Sequence, residues 1–173
     1  LGPLLLVHRD YLANRGIDPD ESERLWGLQG IGLSARLPWR IFIPVKAKGQ
    51  TVSWTTRTVG DSGTRYINAK PEEEAVSIKR VLFGEDHCRH AIVICEGPFD
   101  AIRIGPGAIA TFGLAITAEQ EAKIVSYPKR IICLDSEPEA QKRARKLQRD
   151  WSIFDGETLN VTLHSKDAGS ASK

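Results

Sequence analysis

From Ala91 onward, short apolar runs alternate with stretches of helical spacing, and this alternation constrains the fold more than any other feature. Strands are expected at 91–95, 108–112, 130–134 and 159–163, with helices near 98–104, 117–127 and 138–150. A β-α-β-α-β-α-β order gives an α/β fold. Its sheet is four-stranded and mainly parallel, with right-handed crossovers and flanking helices. Thr117-x-x-Gln120 is a capping box for the second helix. In the third, Ala140, Ala144, Leu147 and Trp151 form an apolar stripe, while Lys142, Arg143, Arg145, Lys146 and Arg149 read as a solvated face.

Two of these strands end in acids. Ala91-Ile-Val-Ile-Cys95 stops at Glu96-Gly97, and Arg130-Ile-Ile-Cys-Leu134 stops at Asp135-Ser-Glu137. In an open parallel sheet the crevice outside the carboxyl ends of the strands takes ligands, so these acids are placed to converge. Converging carboxylates call for a cation, and hard oxygen donors favour Mg²⁺ or Mn²⁺. A structural alternative is that each acid satisfies free N–H groups at a helix start. That explains either acid singly better than it explains two acidic strand ends, each followed by a helix.

The first half has a different texture. Arg9 to Trp26 reads as two short helices broken at Arg15-Gly16, and Arg40 to Val45 alternates like a half-buried strand. Gly49-Gln50 turns this strand into Thr51 to Val59, giving a β-hairpin. Asp61-Ser-Gly63 is a further turn before a short strand, Arg65-Tyr-Ile-Asn68. Pro71 and Glu72-Glu-Glu74 open a helix expected to run to about Phe83. Between Arg36 and Lys70 lie Arg36, Arg40, Lys46, Lys48, Arg57, Arg65 and Lys70 against a single acid, Asp61. That footprint suits phosphates. Trp39, Phe42, Trp54 and Tyr66 interleave with the cations, which suits base stacking, although aromatics in such strands also serve as core. Residues 1–86 are therefore expected to form a smaller basic α+β subdomain, and 87–173 the parallel α/β domain.

A net charge of +2 and 41% hydrophobic residues suit an ordinary globular protein. Leu1 to Val7 is too short to span a membrane, so no membrane partner is expected. Three cysteines, two of them inside apolar strands, imply a reducing compartment without structural disulfides. The chain opens on Leu1 and contains no Met, so it reads as a piece of something longer. His87, Cys88, His90 and Cys95 match no common zinc spacing.

Glu96-Gly-Pro-Phe-Asp100 followed by Asp135-x-Glu137 resembles the topoisomerase-primase (TOPRIM) domain, whose signature is a Glu and then an Asp-x-Asp pair. Ser165-Lys-Asp-Ala168 resembles the Lys-Asp element after the last strand of the primase version. Further motifs upstream fall in the order seen in the catalytic core of bacterial and phage DNA primases. They are Leu12-x-x-Arg-Gly-Ile17, Arg40-Ile-Phe-Ile-Pro44, Arg57, Arg65-Tyr-Ile-Asn68 and Lys79-x-x-Leu-Phe-Gly84.

By that resemblance Glu96, Asp135, Glu137 and Asp167 are the metal candidates, with Glu96, Asp135 and Glu137 catalytic and Mg²⁺ or Mn²⁺ as cofactor. Arg57, Arg65, Tyr66, Asn68 and Lys79 are the implied nucleic-acid or nucleotide contacts, and Lys70 joins them on charge. The implied activity is synthesis of short RNA primers on a single-stranded DNA template from nucleoside triphosphates, beside a replicative helicase, in the cytoplasm of a bacterial cell, with the bacterium or a phage as the source of the gene. Two departures stand out: Asp-x-Glu replaces Asp-x-Asp, and Pro138-Glu139 replaces the usual Gly. They motivate the alternative of a catalytically weak TOPRIM module that binds nucleic acid. A TOPRIM nuclease or topoisomerase is the third option.

Overall fold

The computed structural model describes residues 1–60 and 63–170. The chain divides into two compact units, Leu1–Ser77 and Ile78–Lys173. The first opens with α1 (Leu6–Ala13) and a short helix, α2 (Pro19–Glu21), that widens into a π-helical turn over Ser22–Trp26. Asp18 caps α2, its carboxylate accepting from the backbone N–H of Asp20 at 2.8 Å. Four strands follow: β1 (Gln29–Ile31), β2 (Arg40–Ala47), β3 (Gln50–Thr58) and β4 (Tyr66–Asn68). They pair antiparallel in the order β1-β2-β3-β4. The β2–β3 connection turns on Lys48 and Gly49, both at positive φ (52° and 77°), the geometry that a two-residue hairpin requires.

Ile41, Ile43 and Val45 are fully buried, as the alternation of β2 demands. Arg40 is also buried. Its guanidinium donates to Thr56 Oγ1 at 2.8 Å and to the carbonyls of Thr64 and Arg65 at 2.6 and 3.0 Å. Asp61 and Ser62, part of the expected turn, lie outside the described residues.

The helix expected from Pro71 to about Phe83 does not form. A 3₁₀ turn at Pro71–Glu73 stops at Glu74, which becomes extended (φ −103°, ψ 131°). The next two amides, Ala75 and Val76, both donate to the carbonyl of Val52, so the edge of β3 captures donors that a helix would need. A second 3₁₀ turn, Ile78–Arg80, starts the second unit. The segment 78–86, assigned from sequence to the first subdomain, packs in this second unit. Buried Gln120 holds it there, donating to the carbonyls of Ile78 and Val81 at 3.3 and 3.0 Å.

In the second unit β5 (Ala91–Cys95), α3 (Pro98–Ile104), β6 (Ala108–Ala110), α4 (Ala118–Val125), β7 (Lys129–Ile132), α5 (Pro138–Trp151) and β8 (Glu157–Asn160) alternate in the expected order, with the last strand at Glu157–Asn160 rather than 159–163. The sheet is wholly parallel, in the order β6-β5-β7-β8. Ile92, Ile94, Ile109, Ile124 and Ile132 form its core, against which α5 lays Ala140, Ala144, Leu147 and Trp151. The capping box of α4 is present, with reciprocal Thr117–Gln120 bonds of 3.2 Å.

Arg130 is fully buried in β7, and among the described residues its hydrogen bonds go to a hydroxyl and to backbone carbonyls. Its guanidinium reaches Thr158 Oγ1 at 2.9 Å and the carbonyls of Val125, Tyr127 and Asp155 at 2.8 to 3.1 Å. The positive charge is stabilised there by converging carbonyl dipoles.

Candidate functional site

The central pair of the parallel sheet, β5 and β7, ends in acids on adjacent tips. Cys133 continues the ladder by donating to the carbonyl of Ile94 (2.9 Å). The backbone N–H of Asp135 then donates to Glu96 Oε1 at 3.2 Å, so one strand's acid is bonded to the main chain beneath the other's. Asp100, Asp167 and Glu137 all act on this pair. Asp100, in the first turn of α3, accepts from the backbone N–H of Gly169 at 2.9 Å. Ser136 N–H donates to the carbonyl of Lys166 at 2.8 Å, which draws the segment bearing Asp167 across the end of β7.

The electrostatics follow from this convergence. Asp135 is pushed up to about 7, first by burial and then by the negative charges of Glu96, Asp100, Asp167 and Glu137. Glu96 is raised as well, mainly by burial, with the Asp135 N–H acting in the opposite direction and Asp100, Glu137 and Asp167 adding repulsion. Glu137 stands apart from the others. It is the N-cap residue of α5 and is exposed, its carboxylate 3.4 Å from Lys166 Nζ.

Carboxylates that repel one another at strand tips match Mg²⁺ or Mn²⁺ in donor type and charge. Among the described residues, however, no three such side chains close on a common point.

Two side chains not anticipated as site residues hold this corner in place. Asp100 was visible in the Glu96-Gly-Pro-Phe-Asp100 run. Gln141, buried in the first turns of α5, donates to the carbonyl of Asp135 at 2.9 Å and accepts from Thr162 Oγ1 at 3.1 Å. Its position three residues after Pro138, with a helical stripe on either side, was the signal available.

The basic candidates lie mostly in the first unit, and the structure sorts them. Arg57 is only 8% exposed. Its Nε donates to Tyr11 Oη at 2.8 Å, and its guanidinium lies 4.8 Å from the centre of the Tyr66 ring. Arg57 and Tyr66 are thus partners in a stacked core element. Arg65 and Lys70 are exposed, and Asn68 is exposed with its Oδ1 accepting from Thr55 Oγ1 at 2.7 Å. Arg36 is bound bidentately by Glu73 and lies over Trp54, which stacks on Phe42 at 5.8 Å.

Lys79 belongs to the second unit, where its Nζ reaches the carbonyl of Phe112 at 3.2 Å. Phe112 itself takes φ 60°, a strained value for a bulky side chain, at the exit of β6.

A parallel sheet with acids on its two central tips, followed by a Lys-Asp element, resembles a TOPRIM-type fold. The antiparallel basic sheet before it completes the fold of the bacterial DNA primase catalytic core. No protein-family model matches the chain. It is 29% identical over 139 residues to the DNA primase of Thermotoga maritima, covering 73% of this chain and 24% of that protein. It is 31% identical over 110 residues to the DNA primase of Halalkalibacterium halodurans, covering 57% of this chain and 18% of that protein. The chain therefore spans about a quarter or less of the curated relatives it matches.

Among solved structures, the zinc-binding and RNA polymerase domains of the Aquifex aeolicus primase superpose with a TM-score of 0.75 at 19% identity, over 95% of this chain and 52% of that one. A DnaG primase catalytic domain bound to single-stranded DNA gives 0.71 at 19%, over 95% and 66%. The RNA polymerase domain of Mycobacterium tuberculosis DnaG gives 0.76 at 18%, over 94% and 70%. Among the described residues, no helix is long and apolar enough to cross a membrane.

Proposed function

We propose that this chain is the nucleotidyl-transfer core of a bacterial-type DNA primase, which joins ribonucleotides on a single-stranded DNA template. The observation that carries the reading is the bond from the Asp135 N–H to Glu96, which fixes two acidic strand tips side by side in a primase-core fold. Glu96, Asp135 and Asp167 would hold Mg²⁺ or Mn²⁺, with Glu137 joining once released from Lys166. A divalent ion there supplies charge neutralisation for a triphosphate and lowers the cost of in-line displacement.

This chain's own residues position the reactants. Glu96, half-buried and raised by that burial, would accept the proton of an attacking 3′-hydroxyl. Asp135 is held by Gln141 so that its carboxylate stays at the tip. Arg65, Asn68 and Lys70 offer exposed polar contacts for template phosphates, and Lys79 extends from the second unit for a nucleotide. Arg57 and Tyr66, stacked on one another, support the sheet next to these contacts. Nucleoside triphosphates, the RNA primer and a replicative helicase complete the expected set of partners.

The test is primer synthesis by the protein on single-stranded DNA with Mn²⁺. The reading predicts dinucleotide and longer products that vanish in Asp135→Asn and Glu96→Gln. Equal synthesis by the variants would remove these acids from the chemistry.

One observation favours a second reading, a module that binds nucleic acid without efficient catalysis. Glu137 departs from the family's Asp and sits in an exposed ion pair with Lys166 rather than among the other acids. Glu137→Asp distinguishes the two, since a gain in synthesis would mean that the native arm limits the rate. Single-strand binding with no triphosphate binding in any variant would favour the module.

A further inference from the structure

We propose that Cys95 and Cys133 form an oxidation site, a dithiol that a hydroperoxide closes to a disulfide directly beneath the acidic tips of β5 and β7. The register carries this assignment. Ile94 pairs with Ile132 in the parallel ladder, and the amide of Cys133 donates to the carbonyl of Ile94, so the next pair is Cys95 opposite Cys133. Opposed residues on parallel neighbours point to the same face, with Cα atoms separated by about the 4.8 Å strand spacing. That lies inside the roughly 4.4–6.8 Å window a disulfide spans.

The two thiols share one small cluster with Ala168 and are both unbridged. They differ in access: Cys95 is fully buried, whereas Cys133 keeps 7% of its surface.

This difference orders the chemistry. The Cys133 sulfur attacks a peroxide oxygen, the O–O bond breaks, and water leaves (as the alcohol from an organic hydroperoxide) with the thiol proton, giving a sulfenic acid. The Cys95 sulfur then attacks the sulfenic sulfur, the S–O bond breaks, and a second water carries away the hydroxyl and the Cys95 proton. One dithiol is oxidised and one peroxide reduced.

The bridge forms one residue before Glu96 and two before Asp135. Ala168 shares the cluster of the two thiols and follows Asp167, so the bridge also forms beside the segment that bears Asp167. Bringing the two sulfurs to bonding distance therefore changes the surroundings of both acidic tips. Its consequence for nucleotidyl transfer rests on the proposed function, whereas the thiol chemistry does not.

The experiment treats the protein with hydrogen peroxide and reads two signals that need neither metal nor nucleotide. Peptide mass spectrometry should find the Cys95 and Cys133 peptides joined with loss of two hydrogens and separated again by dithiothreitol. The amide resonances of Glu96 and Asp135 should shift on oxidation and return on reduction. Cys95→Ala and Cys133→Ala should each block the joined peptide and the reversible shift, and either variant that folds suffices as the control. Peroxide that leaves both thiols free, carries Cys133 only to the sulfinic acid, or joins the peptides without moving Glu96 or Asp135 overturns the proposal. Primer synthesis lost on oxidation and regained on reduction extends it to activity.

Discussion

Asp135 carries its charge at a cost set by its neighbours, and this makes stability depend on pH in a stated direction. Its value rises from 3.8 to about 7 on folding, so the fold is favoured fully below about pH 4 and loses that contribution as pH rises through about 7. Allowing for solvent screening of a half-exposed group, the loss is on the order of 1 kcal/mol. Metal-free protein should therefore melt at a lower temperature at pH 8 than at pH 5.5. Asp135→Asn should flatten that slope, and Mn²⁺ should raise the melting temperature at pH 8 for the native chain alone. A slope unchanged in Asp135→Asn would show that other groups carry it.

Two arginines separate support from contact. Arg65→Ala should weaken single-stranded DNA binding about equally for all sequences and reduce its salt dependence, with the fold unchanged. Arg57→Ala should instead lower stability by about 1–2 kcal/mol, because it removes the Tyr11 hydrogen bond and the stacking on Tyr66. Fluorescence anisotropy and urea denaturation measure the two effects separately.

At the level of elements, Gln120 shows how much one cap can hold. Its side-chain amide receives the Thr117 N–H and donates to the carbonyls of Ile78, Val81 and Thr111, tying α4 to the segment 78–81 and to the end of β6. Gln120→Leu should cost about 2–4 kcal/mol, since several carbonyls are left buried without donors. Hydrogen exchange should accelerate first at the N-terminus of α4.

The capping box was legible in the sequence, as were the strands and helices of the second unit, because apolar runs and helical stripes are local signals. The three carbonyl contacts were not, because they depend on tertiary folding. The same distinction explains the lost helix after Pro71: its composition favoured a helix, but the carbonyl of Val52, far away in sequence, captured the amides of Ala75 and Val76. Strand β1 escaped notice because Gln29-Gly-Ile31 is short and half polar. Acids at strand ends could be read directly. The clamp by Gln141, the burial of Arg40 and Arg130, and the opposition of Cys95 and Cys133 require register or long-range contacts that one sequence does not display.

For the whole molecule, two compact units with separate sheets imply separable stability. The apolar core of the second lies between Leu82 and Trp151, within its own boundaries. Residues 78–173 expressed alone should fold, show a cooperative melt and bind Mn²⁺ with the same Asp135 dependence as the full chain. A molten 78–173 fragment would show that the first unit supplies part of the core. Single-stranded DNA binding should fall in that fragment, since Arg65 and Lys70 are absent from it.

Parallel pairing has one more consequence, and it concerns the order of assembly during synthesis. An antiparallel hairpin such as β2–β3 can close as soon as its second arm leaves the ribosome. The β6-β5-β7-β8 ladder needs residues separated by whole crossovers, and its last rung waits for Glu157–Asn160. Nascent chains paused before that point should display the basic sheet but bind no manganese.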